Sequence, residues 1–146
     1  MKAYNVAKHR HTSEIEQELS KAAGSEILVS FTPHLVPLKR GIFATLYLNA
    51  LPGTTAEDIA KAYQKAYENE PFVTVLPAGT LPEIKHVVGS NRCAIGFVLD
   101  ERLGRIVVCS VIDNLVKGAG GQAIQNMNLM FNLKETAGLP MAGMYL

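Results

Sequence analysis

The chain has 146 residues, 14 Lys+Arg against 13 Asp+Glu, and is 48% hydrophobic and 18% charged, enough apolar material for a buried core in one domain. This composition excludes disorder as the main state, and a formal net charge of +1 gives no broad field for nucleic acid or an anionic membrane. No apolar run approaches the roughly 20 residues of a bilayer span, and Met1-Lys2-Ala3-Tyr4-Asn5 lacks the apolar stretch of a secretory signal, so the expectation is a soluble, cytoplasmic protein. Cys93 and Cys109 lie inside apolar runs and read as reduced, buried thiols.

Ser13 and Glu16 have capping-box spacing, and Ile15, Leu19, Ala22 and Ala23 repeat at helical intervals before Gly24, which predicts a short capped helix. Two β-rich runs follow, Ile27 to Phe31 and Ile42 to Leu48, joined by a loop with Pro33, Pro37 and Lys39-Arg40. Pro52-Gly53 ends the second run. Thr55 can cap a helix to about Asn69 with Ile59, Tyr63, Ala66 and Tyr67 on one face, and Pro71 prevents its continuation. Phe72 to Leu76 reads as a strand and Lys85 to Val88 as a short one. Cys93 to Leu99 and Arg105 to Ile112 flank Asp100-Glu101-Arg102-Leu103-Gly104 as a hairpin. A Gly-rich opening, Gly118-Ala119-Gly120-Gly121, leads into a helix carrying Ala123, Ile124, Met127, Met130 and Phe131 and stopped at Gly138 and Pro140. Three helices and about six strands with antiparallel neighbours predict an α+β fold, with helices on one sheet face and the other face left to be covered. Residues 114 to 146 carry only three charges, Lys117, Lys134 and Glu135, so that end is expected to be covered by the chain's own sheet or by another domain or subunit.

The densest cluster of chemistry-bearing residues is Lys8-His9-Arg10-His11, just before the predicted helix, where free backbone N-H groups also favour an anion. Three readings stand at this level: a polar loop with solvated histidines, a metal pair, or general acid/base work by imidazoles titrating near neutral pH. The metal reading lacks Asp, Glu or Cys at ligand spacing. In Pro33-His34-Leu35-Val36-Pro37-Leu38-Lys39-Arg40-Gly41, Arg40 can hold a carboxylate or phosphate through forked hydrogen bonds, or simply guard a strand edge. The glycines of Asn114 to Gly121 could let backbone approach a ligand, but they lack the GxGxxG spacing of a dinucleotide site. GxSxG, P-loop and CxxC patterns do not occur. The chain has bases and anion binders without an evident nucleophile, which is ordinary for part of an enzyme.

Tyr4, His9-Arg10-His11-Thr12-Ser13-Glu14-Ile15-Glu16-Gln17, Phe31-Thr32-Pro33-His34-Leu35-Val36-Pro37 and Arg40-Gly41-Ile42 form an ordered series. With Gly89-Ser90-Asn91, Asp113-Asn114-Leu115-Val116-Lys117-Gly118-Ala119 and Gly121-Gln122-Ala123-Ile124-Gln125-Asn126-Met127-Asn128, the chain resembles the C-terminal part of the N-acetyl-gamma-glutamyl-phosphate reductases. The resemblance implies a single substrate and dimerisation domain over 1–146, similar in fold to that of glyceraldehyde-phosphate and aspartate-semialdehyde dehydrogenases. It also implies an upstream Rossmann domain that binds NADP and supplies a nucleophilic cysteine, whose motif neither Cys93 nor Cys109 matches. By resemblance His9 is the acid/base, Tyr4, His11 and Arg40 are substrate-side groups, and Asn114 faces the nicotinamide. Residues 114–146 correspond to the part that packs on the Rossmann domain. The implied substrate is an acyl phosphate, the implied assembly a homo-oligomer, and no metal is implied. Ser13 stands where the family commonly has proline. Two other readings are a related aminoadipyl-phosphate reductase of lysine biosynthesis and a non-catalytic binding or assembly module of the same fold.

Overall fold

The computed structural model describes residues 1–143, and the chain divides into two compact units, Met1–Lys39 and Arg40–Leu146, where the sequence reading treats 1–146 as one domain. In the first unit a two-residue strand β1 (Lys2–Ala3) pairs antiparallel with β2 (His34–Leu35), and helix α1 (Thr12–Ala23) lies between them in the chain. The predicted capping box does not form: the N-cap is His11, without a side-chain cap, and Glu16 Oε1 instead accepts from Val29 N at 3.1 Å. Ser20 Oγ likewise accepts from Ile27 N at 2.8 Å. These two side chains take N-H groups that a ladder would need, and Ile27 to Phe31 is irregular chain paired with no strand, not the predicted strand. Gly24, at φ +68°, stops the helix as expected.

The second unit is built on a four-stranded mixed sheet in the order β3-β6-β5-β4. Strands β3 (Ile42–Asn49), β5 (Cys93–Asp100) and β6 (Arg105–Ile112) are antiparallel neighbours, and the predicted hairpin closes with Asp100 opposite Arg105. Strand β4 (Val73–Val75) adds parallel to β5, a return that an antiparallel tally does not anticipate. It needs a crossover, supplied by the segment between β4 and β5.

Helix α2 (Ala56–Tyr67) begins at a capping box in which Thr55 Oγ1 accepts from Asp58 N and Asp58 accepts from Thr55 N. Its Ile59 buries against Ile95, Phe97 and Val108 of the sheet, with Tyr63 stacked on Phe97 at 5.7 Å between ring centroids. The opposite face is not bare. Ile84 and Val87 pack on Ala94 and Val111, and Thr80 to Pro82 pass so close to Gly96 that a Cβ there would meet the Thr80 carbonyl. The predicted strand at Lys85 to Val88 is instead a 3-10 turn, Ile84–His86, whose three-residue repeat puts Ile84 and Val87 on one side. Within the sheet the uncovered strand is β3, whose eight residues are all exposed, Tyr47 at 68%.

After β6 comes a π-helical turn, Val116–Gly120, and then α3 (Gly121–Met130). The helix buries Gly121, Gln125 and Asn128 and exposes Ile124, Met127 and Met130, the reverse of an apolar stripe facing its own sheet. Gly121 sits directly against the Asn91 side chain, where a Cβ has no room. A buried polar network explains the choice of face: Gln125 Oε1 accepts from Asn91 Nδ2 at 3.0 Å and Lys117 Nζ at 2.6 Å, and its Nε2 donates to Glu135 at 2.6 Å. Burial lowers the Lys117 pKa, opposed by nearby Cys93, Glu135 and Glu70, while its ammonium lies 5.4 Å from the Phe72 ring centroid. Among the described residues no helix is long and apolar enough to cross a membrane.

Candidate active site

In the first unit His9 is the centre of an aromatic cluster. The Tyr4, Phe31 and His11 rings stand edge-on to it at centroid distances of 5.6, 5.2 and 5.1 Å. Such perpendicular contacts fix the imidazole plane. The backbone behind it is held in an unusual form: Asn5 and Ala7 have φ of +48° and +56°, and Lys8 N donates to Asn5 O at 3.0 Å. A left-handed alanine costs of order 1 kcal/mol and points to a turn kept for its geometry.

His11 N donates to His9 Nδ1 at 3.3 Å. With Nδ1 occupied as an acceptor, a neutral His9 carries its proton on Nε2. His34 has the opposite arrangement, its Nδ1 donating to Thr32 O at 3.0 Å, which leaves Nε2 as an acceptor. Phe31 was part of the motif series but not a predicted site residue, and the structure puts it against His9. Beyond His11 a groove runs along α1 between Phe31, Ile15 and Leu19, with Glu14 and Glu18 on its wall. Two carboxylates therefore stand on the groove next to the helix start at which the sequence suggested an anion. Among the described residues no three His, Cys, Asp or Glu side chains meet as a metal site.

In the second unit Arg40 and Asn114, predicted separately, come together just beyond the last β3–β6 pair, Ile42 opposite Ile112. Arg40 Nη2 donates to both oxygens of Asp113, at 2.6 and 2.7 Å, and Asn114 Oδ1 accepts from Gly41 N at 2.7 Å. The anion in the reach of Arg40 is therefore the protein's own Asp113, a residue that enters the sequence analysis only as the first of the motif Asp113-Asn114-Leu115-Val116-Lys117-Gly118-Ala119 and not as a site residue. Asp113 is fully buried and also accepts from Gly89 N, Leu115 N and Val116 N at 2.7, 2.8 and 2.9 Å. Burial pushes its pKa up, but Arg40 and the three backbone donors outweigh this and hold the carboxyl at about 2. Both Arg40 contacts use one nitrogen, so Nη1 remains, while Nε is buried without a partner among the described residues. Asn114 keeps its amide nitrogen as a donor. Cys109 is buried in the sheet, and the half-buried Cys93 has its Sγ 3.4 Å from Ser110 Oγ.

Residues 1–114 match the family described as "Semialdehyde dehydrogenase, dimerisation domain", and the chain belongs to that family. An N-acetyl-gamma-glutamyl-phosphate reductase of Pelotomaculum thermopropionicum is 56% identical over 144 residues, 99% of this chain and 42% of that protein. A reductase of the same name from Symbiobacterium thermophilum is 59% identical over 97% of this chain and 41% of its own length. The chain thus spans about two-fifths of the curated relatives it matches. In fold it is similar to aspartate semialdehyde dehydrogenase II of Vibrio cholerae, with a TM-score of 0.67 at 19% identity over 84% of this chain and 37% of that one.

Proposed function

We propose that this chain is the substrate and dimerisation part of a reductase that uses NADP to convert N-acetyl-gamma-glutamyl phosphate to N-acetylglutamate semialdehyde in arginine biosynthesis. The observation that carries the reading is the ring-held His9 with its Nδ1 occupied, in a chain more than half identical to proteins of that name. A neutral His9 thus presents Nε2–H as a hydrogen-bond donor to an oxygen that gains negative charge as the acyl carbon is reduced. Giving up a proton as the imidazolium, or taking one from a thiol, needs Nδ1–H and breaks the contact with His11 N.

Tyr4 and His11, whose rings adjoin His9, are assigned as substrate-side groups. Arg40 offers Nη1 to an anionic oxygen while Asp113 fixes its other end. The free amide nitrogen of Asn114 suits the carboxamide carbonyl of a nicotinamide, which when bound supplies the hydride. The nucleophile and the phosphate-binding glycines are assigned to the remainder of the protein, and the outward apolar side of α3, with Ile124, Met127 and Met130, to contact with that remainder. The exposed apolar β3 is assigned to a second copy, in keeping with the dimerisation description of the family.

The test is turnover of N-acetylglutamate semialdehyde with NADP and phosphate. The full-length protein is expected to be active and the 146-residue chain inactive. Turnover by the chain alone, or none by the full-length protein, would overturn the assignment.

A further inference from the structure

We infer that Asp113 is the positioning residue of this site: one buried carboxylate that orients Arg40 and seats Asn114 against the same stretch of backbone. The inference rests on the reductase reading for what Arg40 and Asn114 do, and on geometry alone for what Asp113 does to them.

The clamp is crossed. If the β3–β6 register continued past Ile42 and Ile112, Gly41 would face Asp113 and Arg40 would face Asn114. Instead the Asp113 side chain takes Arg40 and the Asn114 side chain takes the Gly41 backbone, so two adjacent residues grip two adjacent residues. Neither grip can slide without breaking the other. Three further donors, Gly89 N from the turn before β5, Leu115 N just before the π-helical turn and Val116 N at its start, tie the carboxylate to two more segments. Five hydrogen bonds fill the roughly four lone-pair sites of a carboxylate, so the side chain has no freedom left.

A buried ion pair is a poor source of net stability compared with apolar packing. Here Arg40 also has a buried Nε without a partner among the described residues, a cost that a purely structural staple has no reason to carry. What the arrangement does deliver is direction. The guanidinium is pinned at Nη2 and presents Nη1, and the pair as a whole is neutral, so an external anion is held by aim more than by net charge.

The experiment is a mutant cycle in the full-length reductase that carries this chain, using Asp113→Asn, Asp113→Glu, Arg40→Ala and the Asp113→Asn/Arg40→Ala double variant, at temperatures where circular dichroism shows each folded. Asp113→Asn is expected to raise KM for the acyl phosphate by about 10-fold or more while kcat moves much less, because a misaimed group loses binding to ground and transition state alike. Asp113→Glu should fall between it and the wild type. In the Arg40→Ala background Asp113→Asn should add no further rise. A folded Asp113→Asn with unchanged KM, or an equal rise with and without Arg40, would overturn the inference. If Asp113→Asn does not fold, Asp113→Glu decides alone, and an unchanged KM overturns it.

Absence of turnover in the wild type would count against the reductase reading instead. In that case the side-chain Nε–H resonance of Arg40 in the 146-residue chain settles the point. It should respond to inorganic phosphate in the wild type and lose that response in Asp113→Asn, and a response that survives in Asp113→Asn would overturn the inference.

Discussion

Residues 1–39 and residues 40–146 are held together in different ways. The first stretch has no fully buried residue; its order comes from side-chain bonds to backbone, from Glu16 and Ser20 to the returning chain, and from rings around His9. The second has a sheet with buried packing on both faces, around Phe97 on one and Val111 on the other. The contrast separates two ways of placing a polar group. His9 is kept accessible and is held by rings that leave its Nε2 free, whereas Asp113 is removed from water altogether and filled with donors. The proposed roles need this difference, since a group that exchanges protons has to keep one side open and a group that only holds others in place does not.

The sharpest way to break this contrast is to remove one aromatic from each region. Phe97→Ala deletes a ring with no solvent exposure that Tyr63 stacks upon, and about 3–5 kcal/mol of stability should be lost, read from denaturant unfolding of the sheet. Phe31→Ala, on a half-buried ring in the first stretch, should cost about 1 kcal/mol or less in the same measurement. Equal losses would show that residues 1–39 carry a packed core after all.

Acid provides a second, smaller separation. The folded pKa of Asp113 is depressed to about 2 from 3.8, so its contribution is fully present above the unfolded value and is lost as pH falls through the folded one. The shift corresponds to about 2 kcal/mol. Wild-type stability should therefore drop between about pH 4 and pH 2 by more than that of Asp113→Asn, since the amide has no such proton to take up. Parallel acid curves for the two proteins would contradict the low pKa.

The smallest expected effect changes no stability at all. Nitrogen NMR above the imidazole pKa should find His9 protonated on Nε2 and His34 on Nδ1. The same tautomer at both sites would mean that the His11 N–H contact does not govern His9.

The sheet was legible in the sequence because its strands are apolar, β-branched runs with turn residues at their ends: Ile42 to Leu48, Phe72 to Leu76 and the Cys93–Ile112 hairpin are found within a residue or two. Thr55 was legible as a cap. Ile27 to Phe31 was misread because its β-branched composition says nothing of Glu16 and Ser20 taking its N-H groups from across a turn. The helix α3 was legible as a helix, although it ends at Met130 and not at Gly138, and periodicity marks its stripe of Ile124, Met127 and Met130 without saying that Gln125 and Asn128 have buried partners. At the site, the Lys8-His9-Arg10-His11 cluster stood out by composition, but the pairing of Arg40 with Asp113 spans 73 positions and leaves no local signal. Long-range polar pairs have no period, and only the β3–β6 register brings these two together.

The most direct test of the account is the kinetic comparison of His9→Asn with His11→Asn in the full-length protein, assayed for the proposed reductase activity. If His9 holds the transferable proton, His9→Asn should lower kcat by about 10²- to 10⁴-fold with little change in substrate affinity, the usual range for a positioned acid/base. His11→Asn should mainly raise KM. The reverse pattern, with His9→Asn near wild type and His11→Asn losing turnover, would contradict the assignment of the proton to His9.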